Sequence, residues 1–395
     1  MSDVSRYIIY TISYIIHPIS HMTYYLIAGE RSGDLHGANL IRAIRHHDLD
    51  ANCRAYGGEQ MEAAGAQIVR HYRQMAFMGF LEVAKNLGTI RRIMRECQAD
   101  LLATRPDVLI LIDYAGFNLR MARFAKKHGI PVFYYISPKV WAWNPGRARN
   151  IKASVDRLFT ILPFETAFFA GYGYDVEYVG NPLLDALADF RPDPDFRQAV
   201  GLTDAPVVAL LPGSRRQEIT AMLPAMLAAT RRFPACQFVV GTVSNLPDAL
   251  YDSIMADYPT VRRVNDAAYD LLHVATAALV TSGTATLETG LFNVPQVVCY
   301  KTARWYYEIG KRILTVPYLS LVNLIADRLI VPELIYDCTP DRIAEELTTI
   351  LPGGAKRDAQ LAGYKDVRQK MGDPGASERA GRAMVSELQA LMATQ

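Results

Sequence analysis

The stretch Thr281-Ser282-Gly283-Thr284-Ala285-Thr286-Leu287-Glu288 joins a predicted strand at residues 275–280 to a predicted helix at residues 285–292. The strand is short and apolar, as in a parallel sheet that is covered on both faces. At the helix start, unpaired N–H groups and the positive end of the helix dipole favour an anion such as a diphosphate. Glu288 lies one turn further along the same face, where its carboxylate could accept both hydroxyls of a ribose. An ordinary turn capped by Ser282 or Thr284 is the alternative.

The length and composition describe a globular chain with room for two domains. Its 395 residues are 50% hydrophobic and 21% charged, which indicates well-formed cores rather than a disordered protein. The formal net charge of +2 gives no strong overall field and argues against nucleic acid as the main partner. The five cysteines are far apart and form no Cys-x-x-Cys pair, which indicates a reducing cytoplasm and no metal framework.

Residues 1–21 form an atypical N-terminal extension. The apolar run at residues 7–16 has about half the length of a membrane span and is ended by His17 and Pro18. It has neither a charged start of any size nor a small-residue cleavage site, so it does not resemble a signal peptide. We expect the functional chain to begin at Met22, with the extension disordered or loosely associated with a membrane.

Strands and helices alternate from Met22 onwards, which is the pattern of a parallel sheet covered by helices. The first predicted strand, residues 24–28, passes through Gly29-Glu30-Arg31-Ser32-Gly33-Asp34 into a helix predicted at residues 35–46. The glycines on both sides of Ser32 allow the backbone to approach a ligand at the start of this helix. A tight turn capped by Asp34 is the alternative interpretation.

A run rich in methionine and phenylalanine, Met75-Ala76-Phe77-Met78-Gly79-Phe80-Leu81, precedes a long helix predicted at residues 81–104. Such a run at the start of a helix is usually part of the core. The alternative is an exposed apolar lip flanked by Lys85, Arg91 and Arg92. Such a lip would suit an acyl chain or an anionic membrane surface.

The apolar stretch at residues 106–112 is the clearest strand of the N-terminal half. It delivers Asp113 at its carboxyl end, which is the edge where open α/β sheets bind ligands. A general base stands at such a position, although a lone aspartate there is also a common helix cap.

A segment rich in Pro, Gly and Asp at residues 180–195 predicts a linker between two domains. We place an N-terminal Rossmann-like domain at residues 22–185 and a C-terminal one at residues 200–370. A last helix, at about residues 375–395, can pack back on the first domain. In the second domain Gly213-Ser214-Arg215 stands between a strand and a helix, and arginine there can clamp a phosphate.

The two halves predict an α/β protein with a cleft lined by the carboxyl ends of both sheets. The candidate anion sites fall in the second half and Asp113 falls in the first. This division suggests a nucleotide-sugar donor held by the C-terminal domain and an acceptor activated by the N-terminal one. The chain has no Walker A lysine motif, zinc-ligand spacing, G-x-S-x-G elbow or Asp-rich metal pair.

Seven motifs, in order from about Met22 to the C-terminus, resemble those of lipid-A-disaccharide synthases, the enzymes of lipid A assembly in Gram-negative bacteria. Each motif alone is weakly specific, whereas seven in sequence are strong. They are Gly29-Glu30-x-Ser32-Gly33-Asp34, Ile112-Asp113 followed by Phe117-Asn118, Ser137-Pro138-x-Val140-Trp141-Ala142-Trp143, Leu162-Pro163-Phe164-Glu165, Leu211-Pro212-Gly213-Ser214-Arg215, Ser282-Gly283-Thr284-Ala285-Thr286-Leu287-Glu288 and Leu319-Ser320-Leu321-Val322-Asn323-Leu324.

The resemblance implies an inverting glycosyltransferase of the GT-B fold. Such an enzyme takes UDP-2,3-diacylglucosamine as donor and 2,3-diacylglucosamine 1-phosphate (lipid X) as acceptor. It forms the β-1,6-linked lipid A disaccharide and releases UDP, as a peripheral protein on the cytoplasmic face of the inner membrane. It implies no metal and no cofactor, and it leaves a homodimer open.

The resemblance also implies roles for single residues. Asp113 would be the base that takes the proton of the acceptor 6-hydroxyl, with Glu30 as the second catalytic candidate. The donor and its UDP would be held by Gly213, Ser214, Arg215, Ser282, Gly283, Thr284, Glu288 and Asn323. Acceptor, acyl-chain or membrane contacts would come from Ser32, Gly33, Met75, Phe77, Met78 and Phe80.

The chain departs from the family pattern after Asp113, where Tyr114-Ala115-Gly116 replaces the usual small-Pro-acid sequence. This change raises the question of how firmly the loop is held and whether a second carboxylate assists. The rival functions are another GT-B glycolipid transferase, a nucleotide-sugar 2-epimerase and a non-catalytic nucleotide-sugar-binding protein. UDP release that depends on an acceptor lipid would exclude the epimerase.

Overall fold

The computed structural model describes residues 21–75, 87–281, 283–301 and 315–394. These residues form two parallel sheets, one in each half of the chain, with helices on both faces. The N-terminal extension up to residue 20, most of the Met75 to Leu81 run and Ser282 lie outside the described residues.

The first sheet has seven strands in the order β3-β2-β1-β4-β5-β6-β7, and every neighbouring pair is parallel. The order reverses between β1 and β4, which is the place where such sheets open a crevice at their carboxyl ends. The strands are β1 (Thr23–Ala28), β2 (Asn52–Gly57), β3 (Gln67–His71), β4 (Val108–Ile112), β5 (Val132–Tyr135), β6 (Arg157–Thr160) and β7 (Glu177–Tyr178).

Helices cross between these strands and bury both faces of the sheet. Alternate residues of β1 point to opposite faces: Leu26 belongs to one apolar core, and Tyr25 and Ile27 belong to the other. The helices of this half are α1 (Arg31–His47), α2 (Glu59–Ala63), α3 (Leu87–Thr104), α4 (Ala115–Lys127), α5 (Val140–Trp143), α6 (Arg147–Ser154), α7 (Glu165–Ala170) and α8 (Pro182–Asp189).

The second sheet has six parallel strands in the order β10-β9-β8-β11-β12-β13 and reverses between β8 and β11. Its strands are β8 (Val207–Leu211), β9 (Gln237–Thr242), β10 (Arg262–Asn265), β11 (Ala277–Thr281), β12 (Gln296–Cys299) and β13 (Glu333–Leu334). Its helices are α9 (Phe196–Val200), α10 (Arg216–Thr230), α11 (Asp248–Met255), α12 (Ala268–Val274), α13 (Thr284–Leu291), α14 (Leu321–Ala326), α15 (Pro340–Ile350) and α16 (Arg357–Met371). Two Rossmann-like halves confirm the predicted α/β class.

The last helix, α17 (Ala376–Ala393), returns to the N-terminal half and packs along α1. Its first N–H groups, from Gly375 to Ser377, donate to the carboxylate of Asp185, which lies in α8. Gly381 allows the close approach, because a Cβ there would lie 2.6 Å from the Ala43 side chain and 2.8 Å from the Ala43 backbone. The chain therefore crosses between the halves twice.

The structure corrects the predicted start of α1. The helix begins at Arg31 rather than at residue 35, so Ser32 and Gly33 lie in its first turn. Asp34 does not cap this helix. Its buried carboxylate accepts the N–H groups of Gly58 (2.7 Å), Gln60 (3.1 Å) and Met61 (3.2 Å), and therefore caps α2.

The remaining differences concern helix and strand boundaries. The long helix predicted at residues 81–104 is described from Leu87, and β3 was not predicted. Residues 180–195, predicted as a linker, include α8. Within the described ranges, no helix is long and apolar enough to cross a membrane.

We predict that Gly381→Ala lowers the free energy of unfolding by about 1–3 kcal/mol, since the added methyl meets backbone atoms of α1 that cannot move aside. Urea denaturation followed by circular dichroism measures this change. Ser386→Ala is the matched control, because Ser386 lies on the exposed face of the same helix. Equal stability of the two variants would contradict the close helix contact.

Candidate active site

Asp113 follows β4 at the carboxyl edge of the first sheet, in an unusual backbone conformation. Asp113 (φ 44°) and Tyr114 (φ 48°) are both left-handed, which costs energy for residues with side chains and is found at functional sites. The Asp113 carbonyl oxygen accepts hydrogen bonds from the Tyr134 hydroxyl (2.5 Å) and the Asn118 amide (2.8 Å). These buried donors hold the turn, so the Asp113 side chain has a fixed origin.

The loop after Asp113 is held in place by the side chain of Tyr114. Its ring covers Gly29, where a Cβ would lie 2.3 Å from ring atoms, and its hydroxyl donates to the Met75 carbonyl at 2.6 Å. Gly29 is therefore required by close packing.

Met75 is buried in the core, so the structure corrects its expected place on an exposed lip. Phe77, Met78 and Phe80 lie outside the described residues.

Charged groups from both halves act on Glu30, the residue before α1. Burial raises the pKa of Glu30, and the neighbouring Asp113 carboxylate raises it further, while Arg215 and Lys139 lower it. Asp113 is accessible to solvent at the sheet edge. The surrounding loops still exclude part of its water, and this desolvation raises the pKa of Asp113, whereas Lys139 lowers it. Lys139 thus acts on both carboxylates, whereas Arg215 acts on Glu30.

The loops of the two sheets meet at this edge. Arg31, after β1, lies 4.0 Å from Asp266, which follows β10 of the second sheet. Because Arg215 also belongs to the second half, the candidate site lies between the halves. Ser32 is exposed in the first turn of α1, and no side chain of the described residues caps that turn. Gly33 is buried, and a Cβ atom added to it would lie 3.1 Å from the Cβ of Ala28.

The turn after β8 binds its own carboxylate. The N–H groups of Ser214 and Arg215 both donate to Glu218 Oε2, at 3.1 and 3.3 Å. Gly213 is left-handed (φ 107°) and leaves room for this carboxylate, because a Cβ there would lie 2.4 Å from it. The backbone amides expected to bind an anion are therefore occupied. The Arg215 guanidinium pairs with Glu218 Oε1 at 3.2 Å, yet it is 61% exposed and remains the cation of this turn.

In contrast to the turn after β8, the turn after β11 has no described carboxylate bound to its backbone amides. Gly283 (φ 156°, ψ −158°) adopts a conformation open to glycine alone, with free space where a Cβ would stand. No described side chain caps α13, and Thr284 at its start is exposed. Glu288 accepts a hydrogen bond from the Tyr269 hydroxyl at 3.1 Å. Burial raises the pKa of Glu288, and the Tyr269 hydrogen bond partly offsets this effect.

Comparison with known proteins identifies the family. The sequence profile described as lipid-A-disaccharide synthetase matches residues 24–384. The chain belongs to the lipid-A-disaccharide synthase family.

The relatives support this membership along nearly the whole chain. The lipid-A-disaccharide synthase of Syntrophus aciditrophicus is 42% identical over 363 residues, covering 90% of this chain and 95% of that protein. That of Myxococcus xanthus is 38% identical over 374 residues, covering 92% and 97%. Members of this family are glycosyltransferases that make the lipid A disaccharide from lipid A precursors, so the predicted family and enzyme class are confirmed.

Solved structures show the GT-B fold. UDP-GlcNAc 2-epimerase from Neisseria meningitidis, bound to UDP-GlcNAc, has a TM-score of 0.66 at 14% identity, covering 93% of this chain and 100% of that one. The glycosyltransferase of kitacinnamycin has a TM-score of 0.62 at 13% identity, covering 93% and 99%. At these identities the likeness concerns the fold alone. The predicted GT-B architecture is confirmed.

Asn323 is placed differently from the donor contact implied by the synthase family. Its amide donates to the Val331 carbonyl and to Glu333 Oε1, at 2.9 and 2.8 Å. Its oxygen accepts the N–H groups of Ile330 (2.7 Å) and Val331 (3.0 Å). Both protons and both lone pairs of this buried side chain are used, so it fixes the surrounding loops.

Sequence reasoning named the Leu162 to Glu165 motif without a role for its glutamate. The fully buried Glu165 accepts hydrogen bonds from the Ser137 hydroxyl, the Trp141 indole (3.1 Å) and the N–H groups of Ile161 and Leu162 (3.2 and 3.0 Å). These contacts hold the segment that carries Lys139 beside Asp113. A glutamate five residues after a strand end, next to an aromatic motif, is too weak a signal to reveal this.

One group in the described part of the chain could hold a metal ion, namely His46, His47 and Glu378. It joins the last turn of α1 to the first turn of α17. The 17 residues of α1 span about 25 Å, so this group lies at the opposite end of the helix from Glu30. The candidate active site is thus separate from it.

We predict that Lys139→Met raises the pKa of both Asp113 and Glu30, because a nearby cation stabilises the ionised carboxylates. A pH titration of the ¹³C-labelled carboxyl groups by NMR measures both values. Lys152→Met, which removes an exposed lysine on α6, is the control and should leave them unchanged. Unchanged or lower values in Lys139→Met would contradict the shared electrostatic environment.

Proposed function

We propose that the chain transfers a diacylglucosaminyl group from UDP-2,3-diacylglucosamine to 2,3-diacylglucosamine 1-phosphate (lipid X), forming the β-1,6-linked disaccharide 1-phosphate and UDP. The observation that carries this proposal is the contact between the loops of the two halves, where Arg31 lies 4.0 Å from Asp266 at the sheet edge that carries Glu30 and Asp113. The charges of Asp113 and Arg215, one from each half, both act on Glu30 there. Family membership supplies the reaction class.

In the proposed mechanism Asp113 acts on the acceptor. Its carboxylate takes the proton of the 6-hydroxyl while that oxygen forms a bond to C1 of the donor sugar. The bond from C1 to the diphosphate oxygen breaks, and UDP leaves with the electron pair. Attack from the face opposite UDP inverts the configuration at C1 and gives the β linkage.

The environment of Asp113 suits a general base. Burial raises the pKa of Asp113, which makes the carboxylate a stronger base, and Lys139 favours its ionised form. The left-handed backbone and its two buried hydrogen-bond donors fix the direction of the side chain. Glu30 stands beside it as the second carboxylate and as the next candidate for the base.

The donor would bind to the second half. The start of α13 at Gly283 and Thr284, which no described side chain caps, suits the diphosphate, and we assign Ser282 to the same contact from its motif. The exposed guanidinium of Arg215 supplies a positive charge for the leaving group. Glu288 would accept the ribose hydroxyls, with Tyr269 orienting its carboxylate. The amides of Ser214 and Arg215 would bind phosphate only after Glu218 moves, so we assign the charge contact of that turn to Arg215. We propose that no metal or cofactor takes part.

The substrates place the reaction at a membrane surface, and we propose the cytoplasmic face of the inner membrane. Three helices on one side of the first sheet, α3, α4 and α6, carry exposed cations that suit anionic lipid headgroups. These cations are Arg91, Arg92, Arg95, Arg120, Arg123, Lys126, Lys127, Arg149 and Lys152. A homodimer remains compatible with this arrangement.

The proposal predicts that purified protein releases UDP from UDP-2,3-diacylglucosamine only when lipid X is present. The reason is that departure of UDP requires attack by the acceptor hydroxyl. Coupled detection of UDP, with mass spectrometry of a tetra-acyl disaccharide 1-phosphate, measures both products. UDP release without acceptor, or interconversion of the donor into its 2-epimer, would contradict the transferase.

We predict that Asp113→Asn lowers turnover by about a hundred-fold or more, because an amide cannot take the proton of the acceptor hydroxyl. UDP affinity, measured by calorimetry, should stay near that of the wild type because Asp113 lies on the other half. Asp204→Asn, remote from the cleft and exposed, is the matched control. Turnover retained by Asp113→Asn would transfer the role of base to Glu30.

A further inference from the structure

An open groove of about 670 Å³ lies between the two halves, apart from the residues assigned above. Its N-terminal wall is formed by Trp141, Phe164 and Phe168, and its C-terminal wall by Val316, Leu324 and Ile325. These side chains belong to one apolar cluster that both halves share. The groove is thus formed by the same apolar packing that joins the two halves.

The groove walls are well ordered by packing. Trp141 and Phe164 meet edge to face, with ring centroids 4.9 Å apart. Trp141 is also fixed by its indole hydrogen bond to the buried Glu165. Phe164, Phe168, Val316 and Leu324 are only half-buried, so apolar surface faces the open space. An occupant that covers this surface would complete the packing.

Two of the polar groups at the groove, Thr315 and Lys370, have partners, and a third, Asp327, is exposed to solvent. The Thr315 hydroxyl and N–H donate to the carbonyls of Trp141 and Ala142, which joins the two halves. Lys370 at the rim donates to the Ala326 carbonyl at 2.8 Å and pairs with Asp366. The walls between these groups therefore offer mainly carbon atoms rather than hydrogen-bonding groups. A nucleobase there would leave its N–H and carbonyl groups unpaired, which is costly, whereas a hydrocarbon chain would not.

The groove begins close to the reacting groups. Trp141 is two residues after Lys139, whose charge acts on the carboxylates of Asp113 and Glu30. The segment that carries both side chains follows β5, next to β4 in the sheet. A chain attached to a sugar at the cleft can therefore continue into the groove.

We propose that this groove binds one fatty acyl chain of a diacylglucosamine substrate while the sugar occupies the cleft. The proposal rests on the proposed function, because that function supplies the acylated substrate. Under this proposal the motif around Trp141 and the Leu162 to Glu165 motif act together in binding the acyl chain. Glu165 orients the indole, and the aromatic rings form the wall against which the chain packs.

The test is to narrow the groove with Val316→Phe and to assay substrates of two chain lengths. With long-chain donor and acceptor, kcat/KM should fall by about ten-fold or more, because the added ring takes the space of the acyl chain. With short-chain analogues it should stay within about two-fold of the wild type. Leu329→Phe, at a position that is 64% exposed outside the groove, is the control. An equal loss for both lengths, or no loss, would overturn the proposal.

Direct binding tests the groove without catalysis. In a full-length variant with Trp143→Phe and Trp305→Phe, 12-bromododecanoate should quench Trp141 fluorescence to saturation, and adding Val316→Phe should abolish this. Quenching that is unaffected by Val316→Phe, or absent, would contradict the groove. Quenching with no disaccharide formed by the wild type would contradict the proposed function alone. Disaccharide formation without either groove effect would contradict the acyl site alone.

Discussion

Two hydrogen bonds to one carbonyl oxygen fix the candidate active site. The Tyr134 hydroxyl and the Asn118 amide hold the backbone of Asp113 in a turn whose two residues are both left-handed. Such a turn persists only where surrounding contacts over-determine it. Tyr114 completes the arrangement by packing its ring on Gly29 and donating to the Met75 carbonyl, so an aromatic side chain anchors the loop after Asp113.

The second half separates groups that build its loops from groups left open to a ligand. Glu218 and Asn323 use their hydrogen-bonding capacity on groups of their own half, both backbone and side chain. Thr284, by contrast, is exposed at a helix start that no described side chain caps, and the Arg215 guanidinium stays exposed beside its partner Glu218. A buried polar group left unpaired is costly, so loop-building side chains are saturated first. Accessible capacity, rather than membership of a motif, is therefore the better guide to ligand contacts here.

The sequence was sufficient for the central strands, because continuous apolar runs such as residues 106–112 identify buried parallel strands. The edge strand β3 was missed because its residues are only half-buried and form no apolar run. It also placed Asp113 directly after a strand and Glu288 one turn into a helix, positions that follow from strand ends and from helical spacing. It could not reveal that Asp34 caps α2 or that Glu218 occupies its own turn, since these depend on where distant or flexible side chains point. Met75 was ambiguous because an apolar residue at a helix entry suits a core and a lip equally.

The electrostatics of the cleft depend on how the halves approach each other. Glu30 responds to Asp113 and Lys139 from its own half and to Arg215 from the other. Widening the cleft would withdraw Arg215 and readmit water, and these changes act on the pKa of Glu30 in opposite directions. Its partner Asp113 depends on burial and on Lys139, a residue of the same half. The charge that acts on Asp113 therefore comes from its own half, whereas the pKa of Glu30 also depends on the position of the second half.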